Sequence, residues 1–147
     1  MVPNKLEELM KILTALVLSI VMSVGAFSTT AFAGEKDPLF INLTTNDAYR
    51  AIMALTFGRH QLAKGHPVTI FLNDHGVFLG SNKYSRRYAR EQKMIKDFVK
   101  AGGVVLMCGM CEKKFVMKRS QIMSEVKTSH GDASKALFAD HTKTMSW

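Results

Sequence analysis

Two cysteines spaced C-x-x-C, Cys108 and Cys111, carry the widest chemical scope in this chain. Cys108 directly follows the apolar run 104–107 (VVLM), which reads as a strand, and the residues behind it read as the start of a helix. A thiol at a strand end and helix start feels the positive end of the helix dipole. Lys113, Lys114, Lys118 and Arg119 add cationic field nearby. Both effects favour thiolate, the nucleophilic form of cysteine. A second candidate is His75, in the loop Asn73-Asp74-His75-Gly76 that follows the apolar run 68–72. In a parallel sheet that loop shares an edge with Cys108, where an imidazole can lower a thiol pKa or donate a proton. The plainer readings are that the cysteines fill apolar space or form a passive local disulfide, and that His75 is a solvated loop residue.

Other chemistries fit less well. A structural zinc site needs about four ligands, and this C-x-x-C has no second pair. His60, His66, His75, His130 and His141 are scattered, with none four residues from another. No metal and no cofactor is expected. A thioredoxin-type redox pair wants a proline downstream of the cysteines, whereas Pro38 and Pro67 lie upstream. A rhodanese-type loop is not matched by Glu112 and the residues after it. Met107 and Met110 offer soft ligands, but core packing accounts for Met107. The stripe Lys83, Arg86, Arg87, Arg90 and Lys93, interleaved with Tyr84 and Tyr88, resembles a nucleic-acid patch. A solvated helix face or a subunit contact is the preferred reading, and no nucleic-acid partner is expected.

The elements that must position these residues follow from periodicity. Residues 39–43 (LFINL) and 68–72 (VTIFL) read as buried strands, and 142–147 as a last strand of alternating character. Apolar residues at Ala48, Ile52, Leu55 and Leu62 mark a helix over 48–64, entered through 44–47 and stopped by Gly65. A second helix is expected over 86–101, with Met94, Ile95, Phe98 and Val99 towards the core. Shorter helices are expected over 112–123 and 132–139. Strands alternating with helices indicate a parallel sheet with helices on both faces.

The first 33 residues form a separate object. The run 12–26 is apolar apart from Thr14, Ser19 and Ser23, and Ala31-Phe32-Ala33 precedes Gly34. That is the pattern of a signal peptide cleaved after Ala33; the alternative is an uncleaved membrane-anchoring helix. Glu7 and Glu8 sit badly in such a segment, and Met10-Lys11 makes the better start. The chain of 147 residues then leaves one domain over 34–147, expected to be periplasmic or secreted and free of the membrane after cleavage. With 47% hydrophobic and 22% charged residues the chain is not disordered, and two cysteines are too few for a disulfide-stapled fold. Lys and Arg outnumber Asp and Glu by 20 to 12, a formal charge of +8. That balance permits anionic partners without naming one.

Several segments together resemble the DsrE/DsrF-like family. They are 39–45 with the helix behind it, Gly65-His-Pro-Val-Thr-Ile-Phe-Leu-Asn73, the strand after Gly102-Gly103, Cys108-Gly-Met-Cys-Glu-Lys-Lys114, and the ending 138–147. The resemblance spans 38–147. It implies a three-layer α/β/α fold with a five-stranded, mainly parallel sheet, trimeric or hexameric assembly, and sulfur carried as a persulfide on a strand-end cysteine. Cys108 matches that position. Cys111 occurs in only some branches, so its role rests on its chemistry. The implied partners are sulfur donor and acceptor proteins or small thiols, and the implied activity is sulfur carriage or transfer. Two departures are the export pattern and the basic loop 83–90. The alternative is a non-enzymatic oligomeric binding module with a structural or redox Cys108–Cys111 pair. Phe78, Leu79 and Trp147 are the apolar surface expected to serve an oligomer.

Overall fold

Each central strand alternates side chains between two apolar environments, which is why its sequence reads as a nearly continuous hydrophobic run. In the computed structural model these strands are β1 (Leu39–Leu43), β2 (Val68–Leu72) and β3 (Val104–Cys108), joined by β4 (Lys127–Ser129) and β5 (Lys143–Ser146). The structure describes residues 9, 10 and 36–147. The expected signal peptide over 1–33 lies outside them, except for Leu9 and Met10, which are helical. The five strands form one sheet in the order β4-β3-β2-β1-β5, and every pairing is parallel.

One face of the sheet carries Leu39, Ile41, Leu43, Val68, Ile70, Leu72, Val105 and Met107, all buried. Helices α1 (Ala48–Ala63) and α2 (Ala89–Lys100) cover it. Asp47 caps α1 by accepting the Arg50 N–H at 2.9 Å. Ala51, Ala54 and Leu55 of α1, with Ile95 and Phe98 of α2, complete the core. Burying side chains of this size contributes roughly 1.5–3 kcal/mol apiece. The opposite face carries Phe40, Asn42, Phe71 and Thr144, and the short α4 (Asp132–Leu137) lies over it. The result is the expected three-layer α/β/α arrangement.

Helix ends follow one device. In α1 and α2 the last carbonyls are met by the N–H groups one and two residues beyond the cap. The residue in between is Gly65 at φ 93° or Gly102 at φ 98°. The helix after Cys108, α3 (Gly109–Lys114), ends the same way, with Val116 N–H donating to Lys113 O and Met117 N–H to Glu112 O. Here the left-handed position is Val116, at φ 51°. The expected helix over 112–123 is therefore corrected to this single short one, followed by a 3-10 turn at Arg119–Gln121. A branched side chain is disfavoured at positive φ, and Val116 is 83% exposed, so it gains little from packing. Val116→Gly should therefore raise stability by about 0.5–1 kcal/mol in urea denaturation, after the entropy glycine adds to the unfolded chain. A loss of stability would contradict the strain.

Two more expectations need correction. Helix α2 begins at Ala89 and not at 86, because Tyr88 leaves helical geometry (φ −115°, ψ 33°). Its ring is buried and its hydroxyl accepts the Asn46 Nδ2–H at 2.9 Å. Leu79 is not surface: the 3-10 turn Asp74–Gly80 turns Val77 and Leu79 fully into the core. Phe78 and Trp147 are half-buried, Phe78 packing among other rings and Trp147 lying 5.9 Å from Phe57. The most exposed large apolar side chains among the described residues are Tyr49, Met110, Val116 and Phe138.

Candidate functional site

The cysteine pair is built by the turn from β3 into α3. Cys108 is the last residue of the strand and the N-cap of the helix, and its Sγ accepts the Cys111 N–H at 3.2 Å. Cys108 and Cys111 are joined as a disulfide, with Cα atoms 5.2 Å apart. Cys108 is buried and Cys111 half-buried. The ring this bond closes is short, so the chain-entropy model gives it only about 2 kcal/mol of stabilisation. Reduction should therefore leave the protein folded, with the urea midpoint lowered by about that energy divided by the denaturant slope. Unfolding on reduction would contradict it.

Asn73 is the residue that reaches the pair from the neighbouring strand. Leu72 pairs with Met107, so Asn73, the next residue, comes level with Cys108. Its Oδ1 lies 3.3 Å from Cys111 Sγ and accepts the Asp74 N–H at 2.7 Å. Its own N–H donates to Leu43 O at 3.0 Å, and its carbonyl accepts the Gly76 N–H at 2.8 Å. Three hydrogen bonds thus hold an amide oxygen where a reduced Cys111 thiol can donate to it. Sequence reasoning passed over Asn73; its place one residue past a strand beside the cysteine strand was the available signal.

His75 belongs to the same edge but does not take Asn73's place. It is exposed, its Nδ1 lies 3.3 Å from Asp74 Oδ2, and its ring stands 5.4 Å from that of Phe115 and 5.8 Å from that of Phe78. Phe115 caps the end of α3, so His75 meets the cysteine helix through an aromatic contact.

The other candidates disperse. Met107 is fully buried whereas Met110 is 82% exposed, so the two do not converge. Lys113 and Lys114 are exposed, with Lys114 Nζ over the Phe115 ring at 5.6 Å, and Arg119 bonds Thr128. Glu112, not singled out from sequence, holds a buried Oε1 with no partner among the described residues. Lys83, Arg86, Arg87, Arg90 and Lys93 are all exposed. Lys93 hydrogen-bonds Asp97 at 2.7 Å, which keeps that carboxyl below its ordinary pKa. Among the described residues no three His, Cys, Asp or Glu side chains converge to hold a metal ion.

The model of the DsrE/DsrF-like family matches residues 39–147, which includes every strand and both cysteines. The chain belongs to the DsrE/DsrF-like family. Solved structures agree on the fold. A protein of unknown function from Methanobacterium thermoautotrophicum, MTH1491, superposes with a TM-score of 0.64 at 11% identity, covering 76% of this chain and 100% of that one. The YchN protein of E. coli gives 0.62 at 10% identity, over 76% and 99%. A conserved protein of unknown function from Bacteroides thetaiotaomicron, BT1422, gives 0.53 at 15% identity, over 74% and 94%. No curated protein matches the sequence. At these identities the structures speak for the DsrE-like architecture, and the site must be argued from this chain's own residues.

Proposed function

We propose that this DsrE-family chain is a sulfur-relay protein that carries sulfur as a persulfide on Cys108 and discharges it through Cys111. The observation that supports this most is the second cysteine within bonding distance of the strand-end cysteine, backed by family membership. In loading, the Cys108 thiolate attacks the outer sulfur of a donor persulfide and expels the donor thiol. In discharge, the Cys111 thiolate attacks Cys108 Sγ, expels hydrosulfide and leaves the Cys108–Cys111 disulfide. A dithiol reductant returns both cysteines to thiols and is itself oxidised. The disulfide form is then the discharged state. Asn73 Oδ1 orients the Cys111 thiol, and His75 serves as a proton donor at the rim, brought to α3 by Phe115. The signal-peptide pattern at 1–33 supports a relay that acts outside the cytoplasm, and homo-oligomeric assembly with thiol or protein partners on either side belongs to the same reading.

The closed disulfide also favours a second reading, a binding module in which the pair is purely structural. Cyanide-labile sulfur separates them. Reduced Cys111→Ser protein, which cannot discharge itself, should release thiocyanate on cyanolysis after treatment with glutathione persulfide and removal of the donor, while oxidised wild-type protein releases none. Absence of labile sulfur from the reduced variant would favour the binding module.

A further inference from the structure

The sheet face that carries Cys108 also holds a cavity of about 390 Å³, and the geometry points to a binding site there for a small, uncharged molecule bearing an apolar ring and an N–H or O–H donor. Parallel register puts the cavity and the cysteines on one face. Phe71 pairs with Leu106 and with Asn42, and Asn42 pairs with Ser146. Asn73 and Cys108 stand one step of the pleat further along the same face. Asn73 lines the cavity and lies against Cys111 Sγ, so the site ends at the sulfur pair.

The lining defines the ligand. Phe40 and Phe71, with ring centroids 5.9 Å apart, make an aromatic floor. Asn42, Asn73, Ser134 and Ser146 supply neutral hydrogen-bonding groups, and α4 forms the wall. None of the lining residues is charged, although the chain carries a formal +8. An ion entering here would lose hydration without gaining a counter-charge. Asn42 Oδ1 is shielded from solvent and has no hydrogen-bond partner among the described residues. A buried acceptor left unmet is unfavourable, and a rotation of the Asn42 amide towards the cavity would let a ligand donor satisfy it. The volume falls at the lower end of the ~300–1,000 Å³ typical of small-molecule sites, which suits a single ring with a polar substituent.

This assignment goes beyond the sulfur reading and does not depend on it. Benzamide and benzoate share a shape but differ in charge and in donor capacity, which makes them the test pair. Each is titrated into the isolated protein while the Asn42 and Asn73 side-chain amide resonances are followed by NMR. Benzamide should bind saturably and at least about tenfold more tightly than benzoate. Asn42→Leu should weaken benzamide about fivefold. Ser134→Trp, an exposed position on α4, should block both ligands by filling the cavity without altering the sheet. Sulfur loading of Cys108 is measured on the same samples. No saturable benzamide shift, or equal binding of benzoate, would overturn the site whether or not loading is intact. So would resonance shifts produced by changing the protein concentration alone, which would place a second copy of the chain on this face.

Discussion

Cys111→Ser should hold a Cys108 persulfide at least roughly a hundredfold longer than the wild-type protein does. The wild-type thiol attacks from within the same turn, and an intramolecular group acts at an effective concentration far above that of any external thiol. Its reach is not in question, since the two sulfurs are bonded in the structure. Removing it leaves only bimolecular attack. The experiment loads reduced protein with glutathione persulfide, removes the donor, and follows hydrosulfide release and disulfide formation together. In wild type the two should rise in step, because each discharge yields one of each. In the variant both should fall to background. Equal persulfide lifetimes would show that Cys111 takes no part and that sulfur leaves Cys108 directly to a partner.

Phe98→Ala should cost about 3–5 kcal/mol of stability, a large share of the roughly 5–15 kcal/mol available to a domain. Phe98 is 1% exposed and projects from α2 into the layer between helices and sheet. Its ring lies over Gly103, where a Cβ would overlap it, and beside Gly58 of α1, which itself faces Ile41 and Ile70. The ring thus joins both helices to β1 and β2, and close packing on several sides leaves little room for collapse around a cavity. Urea denaturation measures the loss. A cost below about 1 kcal/mol would mean that the core repacks and that α2 is not held by this residue.

Much of the architecture was legible because parallel strands buried on both faces leave unbroken apolar runs. The strands at 39–43 and 68–72 were readable to the residue. Gly65 and Gly102 announced two helix ends because their positive φ suits glycine. The end of α3 was hidden because Val116 fills the same position against its preference, leaving the sequence without a stop signal. Strand β4 was equally hidden: Lys127–Ser129 is three residues long, lies at the sheet edge, and is polar where edge strands avoid further pairing. Tyr88 reads as part of a basic helix, yet its ring is anchored in the core and its hydroxyl tied to Asn46, a partner 42 residues away that periodicity cannot reveal.

The site divided along the same line. Cys108 at a strand end needed only local pattern, and the structure puts it there. Asn73 needed the register between β2 and β3, which is a property of the sheet. His75 was placed on the correct edge, but its contact with α3 runs through Phe115, whose ring also packs 4.8 Å from that of Phe78.

The central claim is that Cys108 is the sulfur-carrying atom. It is tested most directly by peptide mass spectrometry on the reduced protein after glutathione persulfide treatment and alkylation, with fragmentation between Cys108 and Cys111. To trap the loaded state, the sample is Cys111→Ser. The account predicts one added sulfur on Cys108 in most chains. Unmodified Cys108 thiol under conditions that load a persulfide-accepting control protein would contradict it.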